Sequence, residues 1–273
     1  MHRTSLFLGL LALMTSFAAQ GGDPPLPAQL EGVGVVERLG EKVDLNLTFV
    51  SESGRVVRLG DYFRKERPVI LNLVYYSCPM LCTLVLNGQT AALRQIPGTP
   101  GREFEILTIS IDPTETPELA REKKQSYIGE LGRGGEGWHF LTDREGNVRR
   151  LADQAGFHYT YDKQSGQYAH SAAIIVLTPE GAISRYLYGI EFKPRDVRLA
   201  LAEASQGKSG ATLDRLLLFC YHYDPASRSY VPFAANIMRA GGALTMIGLA
   251  MMLGIFWRRE RRLAVVRSAL PPA

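Results

Sequence analysis

The sequence of 273 residues lacks the marks of several large protein classes. It has three cysteines, Cys78, Cys82 and Cys220. That number is odd and too small to frame a disulfide-dense secreted module. The 15 prolines and 27 glycines are spread along the chain, which excludes collagenous and low-complexity classes. No internal repeat is present, so a solenoid is excluded. Charge of one sign is also scarce in the body of the chain. The formal charge of +4 resides wholly after Trp257, where Arg258, Arg259, Arg261, Arg262 and Arg267 stand against Glu260. The remainder sums to zero and carries no electrostatic footprint for nucleic acid.

Long apolar runs are equally few, and they lie at the ends. His2-Arg3, the run Leu6 to Met14, and Ser16-Phe17-Ala18-Ala19 have the order of a secretory signal. The run is too short to span a bilayer. Ala240 to Trp257 contains no charged residue. As a helix it would rise about 1.5 Å per residue, roughly 27 Å in all, against a hydrocarbon core of about 30 Å. Arg239 and Trp257 suit the two interfaces, and the arginine cluster that follows predicts a cytoplasmic C-terminus. The expected organisation is a signal peptide over 1–19, a linker over 20–32, a folded domain over 33–205, a juxtamembrane segment over 206–236, a transmembrane helix over 237–257 and a basic tail over 258–273. The folded domain then faces outward from the cytoplasmic membrane.

Within that domain, Asn46 to Val50 and Arg55 to Leu59 alternate around Ser51-Glu52-Ser53-Gly54 and predict a hairpin. Pro68 to Tyr76 is near-continuously apolar, as in a central strand covered on both faces. Pro79 to Gln95 has helical spacing, Glu103 to Ile111 predicts a strand, and Thr114 to Leu131 and Arg144 to Ala155 predict helices. Ser171 to Leu177 and Ala182 to Tyr188 pair as a hairpin around Thr178-Pro179-Glu180-Gly181, and Arg195 to Ala204 closes as a helix. The central βαβ unit requires parallel pairing, and the terminal hairpin makes the sheet mixed. This outline is that of an α/β, thioredoxin-like fold with an N-terminal β-hairpin insert.

Cys78 and Cys82 fall at the junction from the central strand to its helix, where α/β sheets place ligand sites. Four-residue spacing puts both sulfurs on one face of the first turn, and a helix N-terminus favours thiolate over thiol. We therefore expect reactive, accessible thiols. Two adjacent thiolates suit a soft ion such as Cu(I), and they equally suit a redox disulfide, although dithiol oxidoreductases usually space their cysteines as C-x-x-C. His170 precedes the strand at Ser171, where thioredoxins carry a cis-proline opposite the dithiol. An imidazole there completes a three-coordinate set with Cys78 and Cys82. His139 and His158 lie in strand-like segments beside aromatics and suit structural roles. Met80 suits an apolar helix face, and Cys220-Tyr221-His222-Tyr223 is a weak soft-metal pattern.

The segments VILNLVYYSCPMLC, LTISIDPTETPELA and YAHSAAIIVLTPEG resemble the Sco/SenC family over roughly Val33 to Ser205. The resemblance implies a thioredoxin-like copper metallochaperone rather than an enzyme, with copper as its metal and Cys78, Cys82 and His170 as its ligands. It implies a client such as cytochrome c oxidase subunit II, whose copper centre lies on the outer face of the membrane. The alternative is a thiol-disulfide oxidoreductase that reduces the client's copper-ligand cysteines, using Cys78 and Cys82 as its redox pair. The sequence departs from the family pattern at Thr83, where many members have proline. The S-x-D-P segment is one residue shorter, with Glu115 supplying its acid. The expected anchor is also at the C-terminus, where many members have it at the N-terminus.

Overall fold

The structure, a computed structural model, describes residues 33–63, 66–78, 81–205, 221–224, 229–232 and 241–256. The expected signal peptide, linker and basic tail, and Cys220, Pro79 and Met80, lie outside the described residues.

Strand β4 (Val69–Val74) is buried at every position, as its unbroken apolar run requires. It is central, with β5 (Glu105–Ser110) parallel on one side and β10 (Ala173–Leu177) antiparallel on the other. β6 (Trp138–Thr142) continues the parallel direction, and β11 (Ile183–Tyr188) closes one edge. The early hairpin, β2 (Thr48–Ser51) and β3 (Val56–Arg58), extends the opposite edge. The seven-stranded order is β11-β10-β4-β5-β6-β2-β3. The mixed thioredoxin-like sheet is thus as expected, with the hairpin forming the sheet's outer pair. Trp138–Thr142 was hidden from the periodicity because it is buried almost throughout and does not alternate.

Helix α1 (Leu81–Arg94) joins β4 to β5, and α2 (Pro117–Leu131) joins β5 to β6. Both crossovers step the same way across the sheet, so right-handed connections place both helices on one face. Thr116 caps α2 by accepting the Leu119 N–H, Pro117 opens it, and left-handed Gly132 ends it. Within α1, a Cβ at Gly88 would lie 1.9 Å from the Ile190 carbonyl oxygen. Only glycine lets the helix that carries Cys82 seat this closely on the loop after β11. α3 (Asn147–Gln154) and α4 (Pro194–Ala204) complete the helices of this unit.

Small pairings escaped the sequence reading because they are only two or three residues long. β1 (Gly34–Val35) pairs with β7 (Phe157–His158), and β8 (Thr160–Asp162) with β9 (Gln167–Ala169). The Cys220-Tyr221-His222-Tyr223 pattern runs into β12 (Tyr221–Asp224), which pairs with β13 (Ser229–Pro232). Residues 241–256 are helical, with Leu244, Ile247, Met251, Leu253 and Phe256 among the exposed side chains. Among the described residues no helix is long and apolar enough to cross a membrane, and the expected span over 237–257 is described only in part.

Candidate metal centre

Three elements meet at the C-terminal end of β4. The strand runs out into Tyr75-Tyr76-Ser77-Cys78, α1 brings Cys82 in its first turn, and the connection from β9 to β10 brings His170. Glu115 holds the outgoing loop. Its carboxylate accepts the Tyr76 N–H at 2.7 Å, the Ser77 N–H at 2.6 Å, the Ser77 hydroxyl at 2.7 Å and the Ser110 hydroxyl at 2.5 Å. Two otherwise orphaned backbone donors before Cys78 are thereby satisfied by one buried acid. The sequence singled out Glu115 only as the acid of a shortened segment. Its role was invisible because its partners lie 38 and 39 residues away.

The His170 Nδ1–H donates to the Ser171 carbonyl oxygen at 3.0 Å. A carbonyl can only accept, so in the neutral ring the lone pair is on Nε2. That atom lies 2.9 Å from Cys82 Sγ, whose thiol donates to it. Burial depresses the His170 pKa and keeps the ring neutral, opposed by its bond to Ser171. Cys78 Sγ accepts the Cys82 N–H at 3.4 Å.

The site differs from expectation in one respect. Both thiols are free but buried, Cys78 at 7 % and Cys82 at 2 % exposure, rather than accessible. Burial pushes the Cys82 thiol far above its ordinary pKa, against the donation it receives from the Tyr75 N–H at 3.5 Å. Desolvation outweighs the helix N-terminus because Tyr75, Phe157 and Tyr168 wall the site. Cys82 and His170 are brought into contact, and the Cys78 sulfur stands beside Cys82, whose N–H it accepts. Among the described residues, no group of three or more His, Cys, Asp or Glu side chains is gathered tightly enough to hold a metal ion.

The other histidines are elsewhere. His139 Nε2 lies 3.5 Å from Glu105, with its ring 4.4 Å from that of Tyr62, and His158 lies 4.0 Å from Asp153. Tyr75 and Tyr168 carry no local signal as site residues, because Tyr75 ends an apolar run and Tyr168 lies in a strand of three residues.

A structure described as a putative electron transfer protein from Aquifex aeolicus is 26% identical, with a TM-score of 0.56. The match covers 63% of this chain and 96% of that one. ScoI of Arabidopsis thaliana, solved with copper bound, is 18% identical with a TM-score of 0.46, covering 62% of this chain and 98% of its own. ScoI of Bradyrhizobium japonicum, also solved with copper bound, is 16% identical with a TM-score of 0.45, covering 62% and 99%. No curated protein matches significantly. The SCO1/SenC family model matches residues 37–205, well over half of the sequence and all of the sheet that carries the site, and the chain belongs to that family.

Proposed function

We propose that this protein is a copper-binding metallochaperone on the outer face of the cytoplasmic membrane, assisting copper-centre assembly in cytochrome c oxidase. Its ligands are Cys78, Cys82 and His170. The observation that carries this reading is the 2.9 Å contact between Cys82 Sγ and the unprotonated Nε2 of His170, with Nδ1 fixed by Ser171. A bond from the far ring nitrogen to a backbone carbonyl orients a ligating imidazole and fixes its tautomer. Soft thiolates with an imidazole suit Cu(I), and the same set serves Cu(II).

Copper enters as cargo, and the protein's own groups adjust to it. The Cys82 proton leaves, because only the thiolate is a ligand. Cys78, whose sulfur accepts the Cys82 N–H at 3.4 Å, supplies the second thiolate. Glu115 keeps the backbone of Tyr76 and Ser77, and so the approach to Cys78, in place. The burial of both thiols argues against the alternative, a dithiol reductase, which needs one thiolate within reach of its client.

The membrane tether is part of the same proposal. It rests on the charge-free run Ala240 to Trp257, the apolar side chains exposed along 241–256 and the arginine-rich tail. A reporter active only outside the cytoplasm should work when fused after Tyr230 and fail after Ala273; the reverse would remove the localisation. The test of the ligands is copper binding by the reduced protein. About one copper should bind, Cys220→Ser should leave this unchanged, and Cys78→Ser or Cys82→Ser should abolish it. Loss on Cys220→Ser alone would place the site elsewhere.

A further inference from the structure

A row of tyrosines leads from the buried sulfurs to the surface. Tyr75 lies against the sulfurs, its N–H donating to Cys82 Sγ at 3.5 Å. The Tyr75 ring centroid is 5.6 Å from that of Tyr168, edge-on, and Tyr168 is 5.0 Å from Tyr161. Tyr161 and Tyr168 are cross-strand partners in the β8–β9 hairpin, which fixes their spacing. Tyr75 is 5 % exposed and Tyr161 47 % exposed, so the row runs from the interior to solvent. A side branch reaches Tyr159, 5.9 Å from Tyr168, but the Arg149 guanidinium sits 4.0 Å over that ring. A cation at this distance opposes removal of an electron from Tyr159, so the branch is electrically disfavoured.

We propose that Tyr161, Tyr168 and Tyr75 form a one-electron path between the protein surface and the Cys78/Cys82 dithiol. It goes beyond copper carriage and depends on the thiols alone. A one-electron oxidant docked at Tyr161 has no direct access to the sulfurs, which are nearly fully buried. Tyrosine can lose an electron and a proton to a strong oxidant, whereas phenylalanine cannot.

Tyr161 gives an electron to the oxidant and its phenolic proton to water. Tyr168 and then Tyr75 pass an electron outward in turn, each radical regaining a proton as it is reduced. The Tyr75 radical takes an electron and a proton from the Cys78 thiol, leaving a thiyl radical. That radical joins Cys82 as its proton leaves, forming a disulfide radical anion, and a second oxidant removes the extra electron. Two thiols and two one-electron oxidants give one disulfide, two protons and two reduced oxidants.

The test uses the full chain with Cys220→Ser, reduced and free of metal, and photogenerated tris(bipyridine)ruthenium(III) as oxidant. Disulfide formation is followed as loss of free thiol. Tyr161→Phe and Tyr168→Phe should each slow it by about tenfold or more, equivalent to about 1.4 kcal/mol at the barrier, while Tyr159→Phe keeps the parent rate. Alkylation by iodoacetamide should proceed alike in all variants, showing equal thiol access, and thermal melting should show each to be folded. Parent-rate oxidation in either Tyr161→Phe or Tyr168→Phe, or an equal loss in Tyr159→Phe, would overturn the path. Copper is absent throughout, so the outcome is separate from that of the copper titration.

Discussion

At the C-terminal end of β4, His170 touches a thiol and is surrounded by aromatic rings. At the opposite end of the same sheet, His139 faces Glu105, which also pairs with Arg67 at 2.8 Å. Beside it Lys124 and Glu52 are 2.5 Å apart, and all five line a cleft of about 630 Å³. One pole is dry, soft and nearly uncharged at its centre, and the other is charged and open to water. The carboxylates and cations of the charged pole neutralise one another locally. At the soft pole the polar atoms left facing each other are two sulfurs and a nitrogen lone pair, which a soft cation can bind. The comparison shows that a histidine's role here follows from its partners and not from its burial.

The comparison breaks most sharply on the thiols. Cys82→Ser should abolish copper binding in the folded protein, whereas Glu105→Gln at the charged pole should leave one copper bound. Metal analysis of both purified variants checks this.

The next effect is on stability, and it should differ between the poles. Glu115→Gln replaces an acceptor-only carboxylate that serves four donors with an amide that has one oxygen. We expect a loss of about 3 kcal/mol, on the order of 10 °C in Tm for a chain of this size. Glu105→Gln breaks a pair whose Arg67 is 31% exposed, and water can replace much of it. We expect about 1 kcal/mol there. Thermal melting of the two variants gives the order, and a larger loss for Glu105→Gln would contradict the role assigned to Glu115.

These two carboxylates also show what was legible. The fold was readable where physics is local. The apolar run of β4, the Thr116-Pro117 start of α2, and the turn at Thr178-Pro179-Glu180-Gly181 each specify their own element. The candidate ligands were readable from residue type and from position at strand ends. What was hidden depends on contacts between distant residues. Nothing near Glu115 in sequence announces that it holds Ser77, and nothing near Tyr75 announces Tyr168. The accessible thiolates expected at the helix start gave way to buried thiols. Local sequence reports the helix N-terminus but not the aromatic wall brought in by β9.

A pH series sharpens the comparison further. The His170 pKa is depressed in the folded protein, so the unfolded chain binds the extra proton first as pH falls. Stability of the metal-free protein should therefore decline as pH drops below about 6.5 toward the folded value. Cys82 works in the opposite direction. Its pKa is raised on folding, so above about pH 9 the unfolded chain loses its proton first and the folded state loses stability. Denaturant melts from pH 5 to 10 should show both arms, and Cys82→Ser should remove the alkaline one. Copper affinity should rise with pH, by about a decade per unit for each thiol proton released. A flat profile would mean that the site binds metal without losing protons.

The smallest expected effect is the most direct check on the central claim, when it is set beside its counterpart. Copper titration of the reduced protein should be run on His139→Ala and His170→Ala in parallel, with a Cu(I) chelator as competitor. His139→Ala should retain one copper at parent affinity. His170→Ala, though folded and still holding both thiols, should lose affinity by about a hundredfold or more, on the scale known for disrupted metal sites. Parent affinity in His170→Ala, or an equal loss in His139→Ala, would contradict the assignment of His170 as a copper ligand.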